Sequence, residues 1–176
     1  MKHHQGFSSL ELLCSLAVLA LLVALAVTQT GEALERARIG RVLSTLTESI
    51  LVSNRAAVGS GATSVLCPVG ADGLCNDASD WSGGWIAFAD HDHDRALSDG
   101  DAVIGRYPAP GGGLRIYSNQ GRPRLVLHPQ GDSAGSNLTF TLCGPHGSAS
   151  RAVISNGTAL RGERVVGALP PQCQRS

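Results

Sequence analysis

The residues from Phe7 to Val27 constrain this chain more than any others. Leu12 to Val27 is apolar throughout except for Ser15, and Phe7 and Leu10 extend the run backward around Glu11. A helix of about 20 predominantly apolar residues crosses a bilayer, and this stretch is 21 residues long. It is apolar all round, with no polar face to meet water, which argues against an ordinary core helix. A secretory signal would carry a longer charged region in front and a small-residue cut site behind. Here only Met1 to Gly6 precede the run, and no A-x-A site follows it. Lys2, His3 and His4 favour retention of that end in the cytoplasm. Glu11 is the anomaly. A carboxylate at the centre of a membrane helix costs roughly 2.5–3.5 kcal/mol on insertion scales. The helix carries no intramembrane Lys or Arg to offset it, so its partner must come from elsewhere.

From Gly31 to Val58 the pattern turns amphipathic. Leu34, Ile39, Val42, Leu46, Ile50 and Leu51 recur at helical spacing, with Glu35, Arg36, Arg38, Arg41 and Glu48 between them. One helix is expected from Phe7 to about Ala57, with a kink near Gly31 or Gly40. Residues 7–29 would span the membrane, and the second half would pack on a globular domain. After Gly59-Ser60-Gly61 the helical period stops. Short β-like runs follow at Thr63–Leu66, Trp85–Ala89, Ala102–Tyr107, Leu114–Tyr117, Leu125–His128, Leu138–Leu142, Ala152–Ser155 and Glu163–Val166. Turn residues such as Pro110-Gly111-Gly112-Gly113 and Asn156-Gly157 separate them. The expected class is α+β: a long helix packed on a C-terminal antiparallel domain of one or two small sheets.

Gly6-Phe7-Ser8-Ser9-Leu10-Glu11-Leu12-Leu13 resembles the class III signal of type IV prepilins and type II secretion pseudopilins. The resemblance implies a six-residue leader (1–6), a pilin helix (7–58) and a globular β domain (59–176). It implies cleavage by a prepilin peptidase between Gly6 and Phe7, N-methylation at Phe7, and Glu11 as the carboxylate that meets a neighbouring subunit's new amine. That chemistry is coherent, because a free amine and a buried acid each supply the charge the other lacks. Ser9 departs from the apolar residue usual in the family, which bears on helix packing more than on processing.

Cys14 lies in the apolar run and reads as a small apolar residue. Cys67, Cys75, Cys143 and Cys173 follow it, on the side expected to be oxidising. Four cysteines allow three connectivities. Cys67–Cys75 and Cys143–Cys173 join sequence-near pairs and are favoured, and the spacings do not match C-x-x-C zinc ligands. The stretch Cys67 … Cys75 … Trp81-Ser82-Gly83-Gly84-Trp85-Ile86-Ala87-Phe88-Ala89-Asp90, with Leu142-Cys143-Gly144 later, resembles the GspH/FimT group of minor pilins and pseudopilins. The likeness extends over essentially the whole chain.

Charge is unevenly spread. Asp72 to Asp101 holds eight acids and one base, Arg95, whereas Ala102 onward holds eight arginines against Asp132 and Glu163. Such asymmetry raises the question of a polyanionic partner. FimT-type pilins of transformable bacteria resemble this chain and bind DNA through a Gly-Arg-x-Arg motif. Gly121-Arg122-Pro123-Arg124 matches it in letters but lies mid-domain. Arg161 and Arg164, near the expected place, match loosely, with Glu163 between them, and Arg151 adds charge. The plainer reading is that these arginines solvate strand faces and pair with the acidic loop.

Asp90, Asp92 and Asp94 alternate as at the start of an EF-hand loop, but no glycine holds its sixth place and no glutamate its twelfth. His91 and His93 suit transition metals instead, and the reading taken is a solvated hairpin turn with no metal. No nucleophile motif frames a serine, and no Gly-rich phosphate loop opens a helix. The expectation is therefore not an enzyme, and without a cofactor. It is a minor pilin that primes or tips a type IV pilus and contributes to DNA binding and uptake. The alternatives are a GspH-type minor pseudopilin of type II secretion and a dedicated DNA receptor. Its expected partners are other pilins, the prepilin peptidase, the inner membrane before assembly, and double-stranded DNA. It would sit single-pass in the bacterial inner membrane with its β domain in the periplasm, and in the filament after assembly.

Overall fold

The computed structural model of the chain describes residues 8–133, 135, 137–155, 157 and 159–174. Helix α1 (Ser9–Ser60) leads into eight strands. These are β1 (Thr63–Pro68), β2 (Gly84–Asp90), β3 (Ala102–Pro108), β4 (Arg115–Ser118), β5 (Leu125–Leu127), β6 (Leu138–Cys143), β7 (Ala149–Ile154) and β8 (Leu160–Arg164). They form two four-stranded sheets, ordered β3-β2-β1-β5 and β4-β6-β7-β8, and every pairing is antiparallel.

The helix is α-helical without interruption through Gly31 and Gly40. It ends at Gly61, whose left-handed backbone (φ 73°) directs its N–H to the Ala57 carbonyl at 3.0 Å. Among the described residues no helix is long and apolar enough to cross a membrane.

The second half of α1 carries the fold. Its buried stripe is Glu35, Ile39, Val42, Leu46, Ser49, Ile50, Ser53 and Ala57, spaced by three or four residues as one helix face requires. Ile39, Val42, Leu46 and Ile50 join a core with Leu66, Trp81, Trp85, Ile116, Phe140 and Ile154, drawn from both sheets. Two expectations fail here. Leu34 is 53% exposed and Leu51 41% exposed, because the face is chosen by what packs against it. The polar Ser49 takes a core position by accepting the Trp85 Nε1–H at 3.1 Å and donating to the Leu46 carbonyl at 2.8 Å.

The first sheet is covered on both faces. Leu66, Trp85 and Ala87 face the helix, while Val65, Cys67, Ile86, Phe88 and Val126 form a smaller core on the far side, capped by Val69, Cys75 and Leu97. The loops between β1 and β3 supply that cap, so the acidic segment lies over this outer core. The sheets are joined through segment 79–82. Trp81 N–H donates to the Ile116 carbonyl, and Ser118 N–H to the Ser79 carbonyl, both at 2.8 Å. Disulfides join Cys67 to Cys75 and Cys143 to Cys173. The first ties β1 to the following loop, and the second ties β6 to the short 3₁₀ turn Pro171–Gln174.

All eight expected strands are present, but the last two are displaced. β7 begins at Ala149 rather than Ala152, and β8 runs Leu160–Arg164 rather than 163–166. Edge strand β8 is mostly exposed and shows no apolar alternation. Its bounds are set by its ladder with β7, from Ser150↔Arg164 to Ile154↔Leu160.

Candidate functional site

The first candidate surface is the N-terminal half of α1. Ser8 is its N-cap, in extended conformation, and its carbonyl accepts from the N–H groups of Glu11 and Leu12. Glu11 therefore sits in the first turn, where the helix dipole favours a negative charge. Its side chain is exposed, and no ion pair involves it among the described residues. Among the described residues little packs on the apolar side chains around it: Leu10 is 71% exposed, and Leu13, Leu16 and Leu19 are exposed likewise. Gly6 and Phe7, the expected processing positions, lie outside the described residues.

The five candidate arginines do not form one patch. Arg161 and Arg164 are three residues apart on β8, so they point to opposite faces of the sheet. Arg161 pairs with Val153 and Glu163 with Arg151. This puts Arg151, Arg161 and the opposing carboxylate on one face. Arg164, opposite Ser150, lines a groove on the other face with Arg36, Ile39 and Gly40 of the helix. Arg122 and Arg124, in the turn before β5, line a separate cleft together with Arg95. Within it Arg122 Nη1 donates to the Gly135 carbonyl at 2.7 Å, and Arg124 pairs with Asp77 at 3.0 Å. Arg115 reaches Asp80 at 3.8 Å and lies over the Tyr117 ring. Thus two of the three ion pairs among the described residues link the acidic and basic segments. Arg95 is the member of the arginine cleft that sequence reading missed, because it belongs to the acidic segment.

Asp90 closes β2 and is buried, whereas Asp92 and Asp94 are exposed in the loop that follows. Burial pushes the Asp90 carboxyl above the usual carboxylate range, with the neighbouring Asp92 and Asp101 adding to it against the Arg95 and His93 N–H groups. Asp101, at the far end of the loop, is held below that range. Its own burial acts upward, but hydrogen bonds from the His91 and Ser98 N–H groups and the Ser98 hydroxyl outweigh it. Burial, with Glu48 nearby, raises the Tyr107 phenol, whose ring stacks on Trp85 at 5.4 Å.

A further residue had no sequence signal at all. Glu35 of α1 is 2% exposed, and its carboxylate accepts the N–H groups of His146 and Ser148, each at 3.0 Å. A Cβ at Gly144 would collide with that carboxylate. The helix thereby grips the β6–β7 turn, and the glycine is required by close approach. On sequence alone Glu35 reads as part of the helix's wet face.

The family described as Type II transport protein GspH has a model that matches residues 44–159. No curated protein matches the chain. Among solved structures, the fold is similar to that of the type IV minor pilin FimU of Pseudomonas aeruginosa (strain PAO1) in two crystal forms. One has 14% sequence identity and a TM-score of 0.55, covering 73% of this chain and 90% of that one. The other has 14% identity and a TM-score of 0.52, covering 70% and 91%.

Proposed function

This chain belongs to the GspH family, and we propose that it is a minor pilin that primes or tips a type IV pilus. One observation carries the reading. The helix leaves its first half, with Glu11 in the opening turn, unpacked by its own chain, while its second half is built into the β domain. A half-embedded helix of this kind is a docking element for like helices. After cleavage between Gly6 and Phe7 the new amine of one subunit neutralises Glu11 of another, so the apolar helices associate without an orphan charge. On this reading the apolar run read from the sequence at 7–29 anchors the subunit in the inner membrane before assembly, and the β domain, in the periplasm, presents the subunit-specific surface.

Replacing Glu11 with Ala is expected to leave leader removal intact and to exclude the subunit from filaments. The measurement is leader processing by mass together with immunodetection in sheared pili. Normal incorporation of the variant would overturn the docking mechanism.

The minor pseudopilin of a type II secretion system is the second reading, and the family description favours it. Deleting the gene separates the two: loss of surface pili supports the pilus, and loss of secreted enzymes with pili intact supports the secretion system. A contribution to DNA binding rests on the Arg95–Arg122–Arg124 cleft.

A further inference from the structure

The end of β2 and the loop after it carry three carboxylates that converge. One oxygen each from Asp90, Asp92 and Asp94 lies within 4.8 Å of the other two. Three like charges so placed repel, and no ion pair among the described residues involves any of them. An acidic cluster alone would be only a wet turn. The second observation is Asp90 itself, which is 1% exposed. Its Oδ2 accepts the Arg95 N–H at 3.2 Å, but its Oδ1 is buried with no hydrogen-bond partner. A buried carboxylate oxygen left without a donor is costly, and the carboxylate that carries it supplies one of the three converging oxygens.

We propose that Asp90, Asp92 and Asp94 hold a calcium ion. The ion supplies the contact that the buried oxygen lacks and cancels the repulsion among the three carboxylates. The donors are hard oxygens, and no histidine nitrogen joins the group, which favours calcium over zinc or copper. The two objections from sequence have structural answers. Glycine is usual at the sixth place because the backbone must turn sharply there. Here Arg95 occupies that place with φ 61°, and His93, at the fourth, has φ 64°. At the twelfth place Asp101 ties the loop's return instead, accepting from the His91 N–H at 3.0 Å and the Ser98 N–H at 2.9 Å. The Ser98 hydroxyl donates to Asp101 Oδ2 at 3.1 Å and stands 3.4 Å from Asp92 Oδ2, so it links the loop's return to the cluster. Leu97 beside it packs on the outer core of the first sheet. Calcium would therefore clamp this cover onto the sheet. Calcium binding at this loop is independent of which filament the subunit joins.

The test uses the full-length chain in detergent micelles, stripped with chelator and titrated calorimetrically with calcium chloride. One saturable site is expected, with Kd on the order of 0.1–1 mM, as for extracellular calcium modules. Thermal unfolding should shift upward with calcium and return when chelator is added. The double variant Asp92→Asn/Asp94→Asn changes exposed side chains and should fold; it should lose at least about tenfold in affinity. Asp99→Asn, in the same loop but outside the cluster, should bind as the parent does, and zinc chloride should bind more weakly than calcium. The proposal is overturned if the parent shows no saturable binding at millimolar calcium, or if the double variant binds as tightly as the parent. It is also overturned if Asp99→Asn weakens binding as much as the double variant, or if zinc binds more tightly than calcium.

Discussion

Glu35 and Gly144 stand more than a hundred residues apart in sequence and form one interlocked contact. The carboxylate satisfies two backbone N–H groups of the β6–β7 turn, and the glycine leaves room for it. Gly144→Ala is expected to destabilise the fold by about 2 kcal/mol or more, since the added methyl meets the carboxylate. Glu35→Ala should cost about 1–3 kcal/mol by stranding the His146 and Ser148 donors. In the Glu35→Ala background, Gly144→Ala should cost less than about 1 kcal/mol, because the obstacle is gone. Denaturant unfolding of the four proteins of that cycle measures the coupling, and additive losses would contradict the contact. Neither residue could be singled out from sequence. A glutamate among Arg36, Arg38 and Arg41 looks solvated, and its burial is decided by a turn more than a hundred residues away. Asp90 is similar: the alternating aspartates were visible, but not that one of them is buried with a bare oxygen.

At the scale of elements, periodicity located the helix and all eight strands, and it failed where an apolar residue and a packing surface do not coincide. Leu46 and Leu51 have equal standing in the pattern, yet Leu46 is fully buried and Leu51 is 41% exposed. Leu46→Ala is expected to cost about 2–5 kcal/mol, whereas Leu51→Ala should stay within about 0.5–1 kcal/mol. Thermal or denaturant unfolding of the two single variants distinguishes them, and equal losses would refute the packing described. Strand β8 shows the converse. Its residues give no alternation, and only the ladder with β7 makes them a strand. The same ladder sends Arg161 and Arg164 to opposite faces, so a motif that reads as a pair is not a pair in space.

For the whole molecule, the even balance of charge is partly an internal matter. Arg115 and Arg124 reach back to Asp80 and Asp77, so the basic half is partly engaged by the acidic one. The arginines gathered in one place are Arg95, Arg122 and Arg124. If that cleft grips duplex DNA, affinity should fall with salt at a slope of about −2 to −3 in log K against log salt, from about 0.9 per phosphate contacted. The Arg122→Ala/Arg124→Ala variant should flatten that slope. Absence of binding, or a slope near zero, would remove DNA from the account and leave subunit docking as the use of the surface. Filament docking draws instead on α1, whose exposed apolar half is unpacked in the single chain.

The sequence by itself determined the outline: an apolar helix with a single acid near its start, an amphipathic continuation, and a turn-rich domain of eight strands. These depend on local chemistry, on the length of an apolar run, the period of side chains and the position of glycines, and so they can be read along the chain. The tertiary structure alone decided which polar groups are buried and which charges meet. It placed Glu35 under the β6–β7 turn, divided the arginines between the two sheets, brought Arg95 to Arg122 and Arg124, and drew three aspartates together, one of them buried. Those are contacts between segments distant in sequence or turned by an unusual backbone, and their energies depend on desolvation, which no residue carries until its neighbours have excluded water from it.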